Sequence, residues 1–175
     1  MWRRQVPEID GTLGLGFLDL MQARFVDAFR AALVPWRMIR LCAERAREVT
    51  GRDHPFSSRR FLIDGRTIFT DLVDRADEQQ LLDLAKNQLA FARVIGPSLY
   101  AGLEFSVDDM PARWWPMGEK REIVIDPKRS FGHPIVSDGG VPTTVLLDAV
   151  EAEGSIAKVA SLFARPQHSV RGASL

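Results

Sequence analysis

"FGHPIVSDGGVPTTVL", residues 131–146, decides the fold. An apolar, strand-like run passes through a glycine pair and a proline into two threonines and a second apolar run. Two structures suit such a stretch: a loop that cradles a phosphate at a helix start, or a chain reversal that sets up a helix-turn-helix. A P-loop needs G-x-x-x-x-G-K-[ST], with a lysine and a nest of backbone N–H groups on the phosphates. "SDGGVPTT" has no lysine, and Pro142 removes one of those N–H groups. A dinucleotide fingerprint needs three spaced glycines inside a βαβ unit, and they are absent as well. The glycine pair therefore reads as a reversal after a strand, with Thr143 or Thr144 capping the helix that follows.

Downstream, the pattern gives three short helices: "TTVLLDAVEAEG", ending at Gly154; "SIAKVASLFA", capped by Ser155; and "PQHSVRGAS", with Pro166 at its start. Ile156, Val159, Ala160 and Phe163 fall on one helical face, small Ala160 allows a close crossing, and Val170 closes the core. This is the spacing of a trihelical helix-turn-helix, although any three-helix bundle shares the period. As a DNA reader its third helix offers Gln167, His168, Ser169 and Arg171. Glutamine and arginine make bidentate contacts to adenine and guanine edges. Thr143 and Ser155, at the starts of the first two helices, join that DNA-facing set. Upstream, "EIVID" and "HPIVSD" read as two strands joined by "PKRSFG".

Further towards the N-terminus, "GFLDLMQARFVDAFRAAL" sets Leu18, Met21, Phe25, Phe29 and Leu33 in one helical stripe. "VPWRMIRLCAERAREVTG" follows at once, with Pro35 at a first helical position, Trp36, Ile39, Ala43 and Ala46 as the buried stripe, and Gly51 as the stop. In "RRFLIDGRTIF", two β-prone runs flank Asp64-Gly65, a strong signal for a type I′ hairpin. The two helices, joined by so short a link, read as a helix-turn-helix or a helical hairpin, and helix-turn-helix plus β-hairpin is the layout of a winged helix. Arg59, Arg60 and Arg66 would then line the wing, either holding phosphate oxygens or lying as solvated strand ends. Arg37 and Arg40, on the solvent side of the second helix, are similar candidates. "ADEQQLLDLAKNQLAFARVI", residues 76–95, predicts another helix ended by Gly96-Pro97. "EFSVDDMPARWWPMGEKRE" has no period and reads as a linker. Its Trp114 and Trp115 either form part of a partner interface or pin the linker onto one domain, and pinning is preferred. The domains expected are 1–105, 106–121 as linker, and 122–175.

Charge is balanced overall but not along the chain. Residues 1–69 carry 12 Lys/Arg against 8 Asp/Glu, residues 70–122 carry 6 against 10, and the remainder 5 against 5. A basic front and an acidic middle suit a chain that meets one partner at each. The single cysteine, Cys42, excludes an internal disulfide and a Cys-rich zinc site. His54, His133 and His168 are scattered, with no metal-ligand spacing. Asp108-Asp109 lacks a distant acidic partner, and no G-x-S-x-G elbow holds a serine. The reading is a non-enzymatic protein without metal or cofactor. With no signal-like or membrane-spanning run, a cytoplasmic location is expected.

At these residues the chain resembles a family. "IVIDPKRSFGHPIVSDGGVPTTVLLDAVEAEGSIAKVASLF" is similar to the small antitoxin-like domain of VapB-type proteins, formerly a domain of unknown function. The shared features are Asp126-Pro127, Gly132-His133-Pro134 and Gly140-Val141-Pro142-Thr143. The upstream "FLDLMQARFVDAFR…WRMIR", "DHPFSSRRFLIDGRTIF" and "RWWPMG" resemble the MerR-like region of longer members. Those members carry a further helix-turn-helix, whose tail "MWRRQVPEIDG" resembles. The resemblance implies a mainly α fold with small β-hairpins: a MerR-like winged region, then a hairpin and a trihelical helix-turn-helix domain. It implies an antitoxin of a type II toxin–antitoxin pair that binds double-stranded operator DNA and neutralises a PIN-like ribonuclease toxin. A stand-alone DNA-binding regulator is the alternative. A homodimer is expected, because one short recognition helix binds weakly alone. Pairing of "EIVID" with "HPIVSD" across chains is one way to form it.

Overall fold

The computed structural model describes residues 2–8, 10–74, 97–164 and 166–173. The chain divides into two compact units, Met1–Tyr100 with Phe105–Pro111, and Ala101–Glu104 with Ala112–Leu175. The helix expected over residues 76–95 lies outside the described residues.

The first unit opens with α1 (Phe17–Ala31) and α2 (Trp36–Thr50). Met21, Phe25 and Phe29 of α1 are fully buried, as the stripe predicts, but Leu33 is 85 % exposed. The reason is how α1 ends. Leu33 adopts a left-handed φ of 61°, its N–H bonds the Arg30 carbonyl, and Val34 N–H bonds the Phe29 carbonyl. That is a Schellman stop, which turns the chain before Leu33 can join the stripe. In α2, Ile39, Ala43 and Ala46 are buried, whereas Trp36 is 47 % exposed and receives the Arg30 guanidinium over its ring at 5.1 Å. Pro35 sits just before the first helical residue, not in it. Gly51, at φ 66°, closes α2 as predicted.

A short 3₁₀ turn, Pro55–Ser57, leads to α3 (Arg59–Asp74). This corrects the predicted wing: "RRFLIDGRTIF" is helical, not a hairpin. Phe61, Gly65 and Ile68 are the buried positions, spaced four and three, which is the period of a helix and not of a strand. The Ser58 hydroxyl accepts the Phe61 N–H at 3.1 Å and so starts the helix as an N-cap. Asp64 meets Arg60 one turn back at 3.6 Å. An aromatic cluster fills the centre: Phe29 on Phe56 at 5.2 Å, Phe56 on Phe61 at 5.0 Å and Phe25 on Tyr100 at 4.8 Å. Tyr100, ending the single turn α4 (Pro97–Tyr100), donates its hydroxyl to the Phe56 carbonyl at 2.7 Å. A buried phenol needs such an acceptor. Cys42 lies in the same core, and its burial pushes the thiol pKa up, so it stays a neutral small hydrophobe.

The region 106–121 is structured, which corrects the expected linker. β1 (Leu103–Phe105) pairs with β2 (Pro111–Trp114), and the division between the units runs through this hairpin.

In the second unit, β3 (Ile123–Val124) and β4 (Ile135–Val136) pair antiparallel, Ile123 opposite Val136 and Val124 opposite Ile135. These are the two strands read from sequence. They pair with each other within one chain. The glycine pair does reverse the chain: Gly139 and Gly140 take φ of 75° and 70°, and Gly140 N–H bonds the Val136 carbonyl. Val141 and Pro142 run back beside β4 through Val136 N–H to the Val141 carbonyl and a bridge between Ile135 and Pro142. That pairing delays the helix, so α5 (Thr143–Glu153) starts with Pro142 in the cap position and no side-chain cap. The expected threonine cap is corrected on that ground. α6 (Ile156–Leu162) and α7 (Gln167–Ala173) complete three mutually packed helices. Their core is Leu146, Val159, Ala160 and Val170 over Ile123 and Val136, flanked by Ile156 and Phe163.

Candidate nucleic-acid interface

α6 and α7 are the second and third of the three short helices predicted from the spacing. Ser155 caps α6 through its hydroxyl, which accepts the Lys158 N–H at 3.4 Å. Gly154 stops α5 in the left-handed region, and Ala164, also left-handed at φ 50°, turns the chain after α6. With Val170 anchored in the core, Gln167, His168 and Arg171 stand in solvent. Gln167 and Arg171, four apart on one helix, project from the same face. Ser169 is 5 % exposed, so its hydroxyl is turned away from any base edge. It is therefore corrected from the DNA-reading set, because the helix period that exposes Gln167 and Arg171 carries position 169 inward. Thr143 is half-buried, with its N–H on the Pro134 carbonyl.

The arginines of the first unit divide differently from the prediction. Arg37 and Arg40 are exposed on α2 as expected, three residues apart. Arg59, Arg60 and Arg66 are exposed too, but along α3 and not at a wing tip. Arg59 stacks its guanidinium over Phe105 at 5.3 Å.

Trp114 and Trp115 are half-buried in the second unit. Trp114 exchanges both backbone hydrogen bonds with Ile125, at 3.0 and 2.8 Å. Arg121 covers the Trp115 ring at 5.2 Å, and the Trp115 indole N–H is buried without an acceptor. The Asp126-Pro127 pair has a structural job. Asp126, buried at the end of the strand, accepts Lys128 N–H at 2.9 Å and Arg113 Nε at 2.9 Å, which holds the turn out of β3.

Sequence reasoning missed a buried polar centre in the first unit. The Asp19 carboxylate, 1 % exposed, accepts from Trp2 Nε1 at 2.9 Å, Gln5 N at 3.0 Å and Gly16 N at 3.0 Å. The imidazole Nε2 of buried His54 lies 2.8 Å from its other side. Burial raises the Asp19 pKa, but the bonds from His54, Gln5, Gly16 and Trp2 outweigh it and hold the carboxyl below its ordinary value. Beside this centre lies an open cavity of about 460 Å³, lined by Arg3, Arg4, Arg52, Asp53 and His54 among others. Among the described residues no three His, Cys, Asp or Glu side chains are grouped to hold a metal ion. No helix among them is long and apolar enough to cross a membrane.

No protein-family model matches this sequence, and no curated protein matches it in sequence. Among solved structures it is similar to Rv2018 from Mycobacterium tuberculosis, at 21 % identity and a TM-score of 0.79, over 97 % of this chain and 83 % of that one. At that identity the likeness speaks for the fold alone. The mainly helical architecture with small hairpins therefore recurs in an experimentally solved protein.

Proposed function

We propose that this chain is a DNA-binding antitoxin: an autorepressor that reads its own operator through α7 and restrains a PIN-like ribonuclease toxin. The observation that carries the DNA half is the pair of short helices, α6 capped by Ser155 and α7 held by buried Val170, with Gln167, His168 and Arg171 exposed on α7. Backbone positioning by phosphate contacts falls to the exposed arginines of α2 and α3, and base readout to α7. The toxin half is supported by the resemblance to VapB-type antitoxins at residues 123–163. A homodimer in the cytoplasm suits a palindromic operator, since two half-sites compensate for one short recognition helix.

The test has two arms. In the first, the wild type and the Gln167→Ala and Arg171→Ala variants are titrated with upstream DNA and with a scrambled duplex. Each substitution is expected to lower operator affinity by about 1–3 kcal/mol and to erode the preference over the scrambled duplex. Equal affinity of the wild type for both duplexes sinks the operator reading. In the second, the neighbouring gene's product is tagged and co-expressed with this chain. Co-purification with a neighbour that arrests growth alone supports the antitoxin reading; a harmless neighbour that purifies alone removes it.

A further inference from the structure

The cavity beside Asp19 has a construction that the DNA reading does not use. Trp2 and Gln5 are both tied to the Asp19 carboxylate, at 2.9 and 3.0 Å, so the two residues between them are presented from a fixed backbone. Those two are Arg3 and Arg4. Both are exposed on the cavity wall, and neither has an ion pair or hydrogen bond to any described residue. Across the cavity Arg52 is steadied by donating Nη2 to the Asp108 carbonyl at 2.8 Å, which leaves its other donors free. Arg3, Arg4 and Arg52 line this open site of about 460 Å³ together with Asp53 and His54. Three arginines against one carboxylate in the lining give a positive excess that favours an anion. The volume falls in the range of small-molecule sites. A second hollow of about 230 Å³, lined by Trp2, Leu13 and Leu15, shares Arg4 and supplies the apolar surface that a purely inorganic anion has no need of.

We propose that this pair of hollows binds a small organic phosphate of the nucleoside-phosphate class, its phosphates on Arg3, Arg4 and Arg52 and its apolar part against Trp2, Leu13 and Leu15. Guanidinium groups suit the phosphates because each offers a planar fork of donors to two oxygens. The site is independent of whether α7 reads DNA.

Calorimetric titration of the full chain with ATP as the probe, at low salt, tests it, with pyrophosphate as competitor. The expected result is saturable ATP binding that pyrophosphate displaces. The Arg3→Ala/Arg4→Ala double variant should weaken it by roughly tenfold or more, as the loss of two charge-assisted contacts requires. Both side chains are solvent-exposed, and an unchanged thermal midpoint verifies that the double variant folds. Absence of saturable binding overturns the proposal. So does binding that the double substitution leaves intact, or ATP that pyrophosphate fails to displace. A DNA duplex forms the last arm. If the duplex displaces ATP, or if only duplex binding depends on Arg3 and Arg4, the arginines belong to backbone phosphates and the small-molecule site is wrong.

Discussion

Asp19 carries more of the first unit's architecture than any pattern in the sequence announces. It sits in the first turn of α1, where a carboxylate is favourable to the exposed N–H groups of the helix start, and its bond to Gly16 N–H is that local part. The rest is tertiary: Trp2 and Gln5 come from 17 and 14 residues before it, and His54 from 35 after. No spacing rule brings those groups together, which is why His54 reads from sequence only as one of three scattered histidines. Asp19→Ala leaves buried His54 and the part-buried N–H groups of Trp2, Gln5 and Gly16 without their acceptor, and a loss of about 3 kcal/mol is expected by urea unfolding at neutral pH. The pH dependence has a definite sign. The folded pKa is depressed below the ordinary 3.8, so the stabilisation is fully present above that value and is lost as pH falls through the folded one. The wild type should therefore lose stability across that acid range more steeply than Asp19→Asn, and parallel acid profiles for the two proteins would contradict the assignment.

At the level of elements, helix ends separate what was legible from what was not. Gly51, Gly154 and Ser155 act where their residue types predict, because a left-handed glycine and a serine cap are decided locally. The wing failed because Asp64-Gly65 is a turn signal only between strands, while Phe61, Gly65 and Ile68 carry a helical period. Ser58, just before that period, was the overlooked start signal. The end of α1 failed for the opposite reason: Leu33 continues the apolar stripe but takes the position where glycine is preferred. A leucine held left-handed pays a steric penalty that glycine avoids, and its 85 % exposed side chain packs on little. Leu33→Gly is accordingly expected to stabilise the protein by about 0.5–1 kcal/mol, the steric relief exceeding glycine's added freedom in the unfolded chain. A lower thermal midpoint for the variant would mean that Leu33 has a packing partner.

For the whole molecule, the trihelical unit was readable because its core is local, with Leu146, Val159, Ala160 and Val170 contributed by consecutive helices. The hairpin of β1 and β2 was not, since three- and four-residue strands leave too short a period to detect. On the proposed DNA-binding reading, the same scale sets how affinity would divide. The basic excess of residues 1–69, 12 against 8, is partly spread over α2 and α3, whereas the side chains suited to bases are on α7 in the other unit. Affinity and specificity should then be separable. Arg37, Arg40 and Arg60 are the cleanest probes, because Arg59 already covers Phe105 and the Arg60–Asp64 pair, half-exposed at 3.6 Å, contributes under about 1 kcal/mol. Each alanine variant at these three should keep the wild-type melting behaviour and the wild-type operator preference. Each should also reduce the dependence of log affinity on log salt by about 0.9 for the phosphate contact removed. Arg171→Ala should do the reverse, losing preference while changing the slope little. Fluorescence anisotropy across a salt series reads both quantities from one set of titrations. A slope unmoved by all three variants would take α2 and α3 off the DNA.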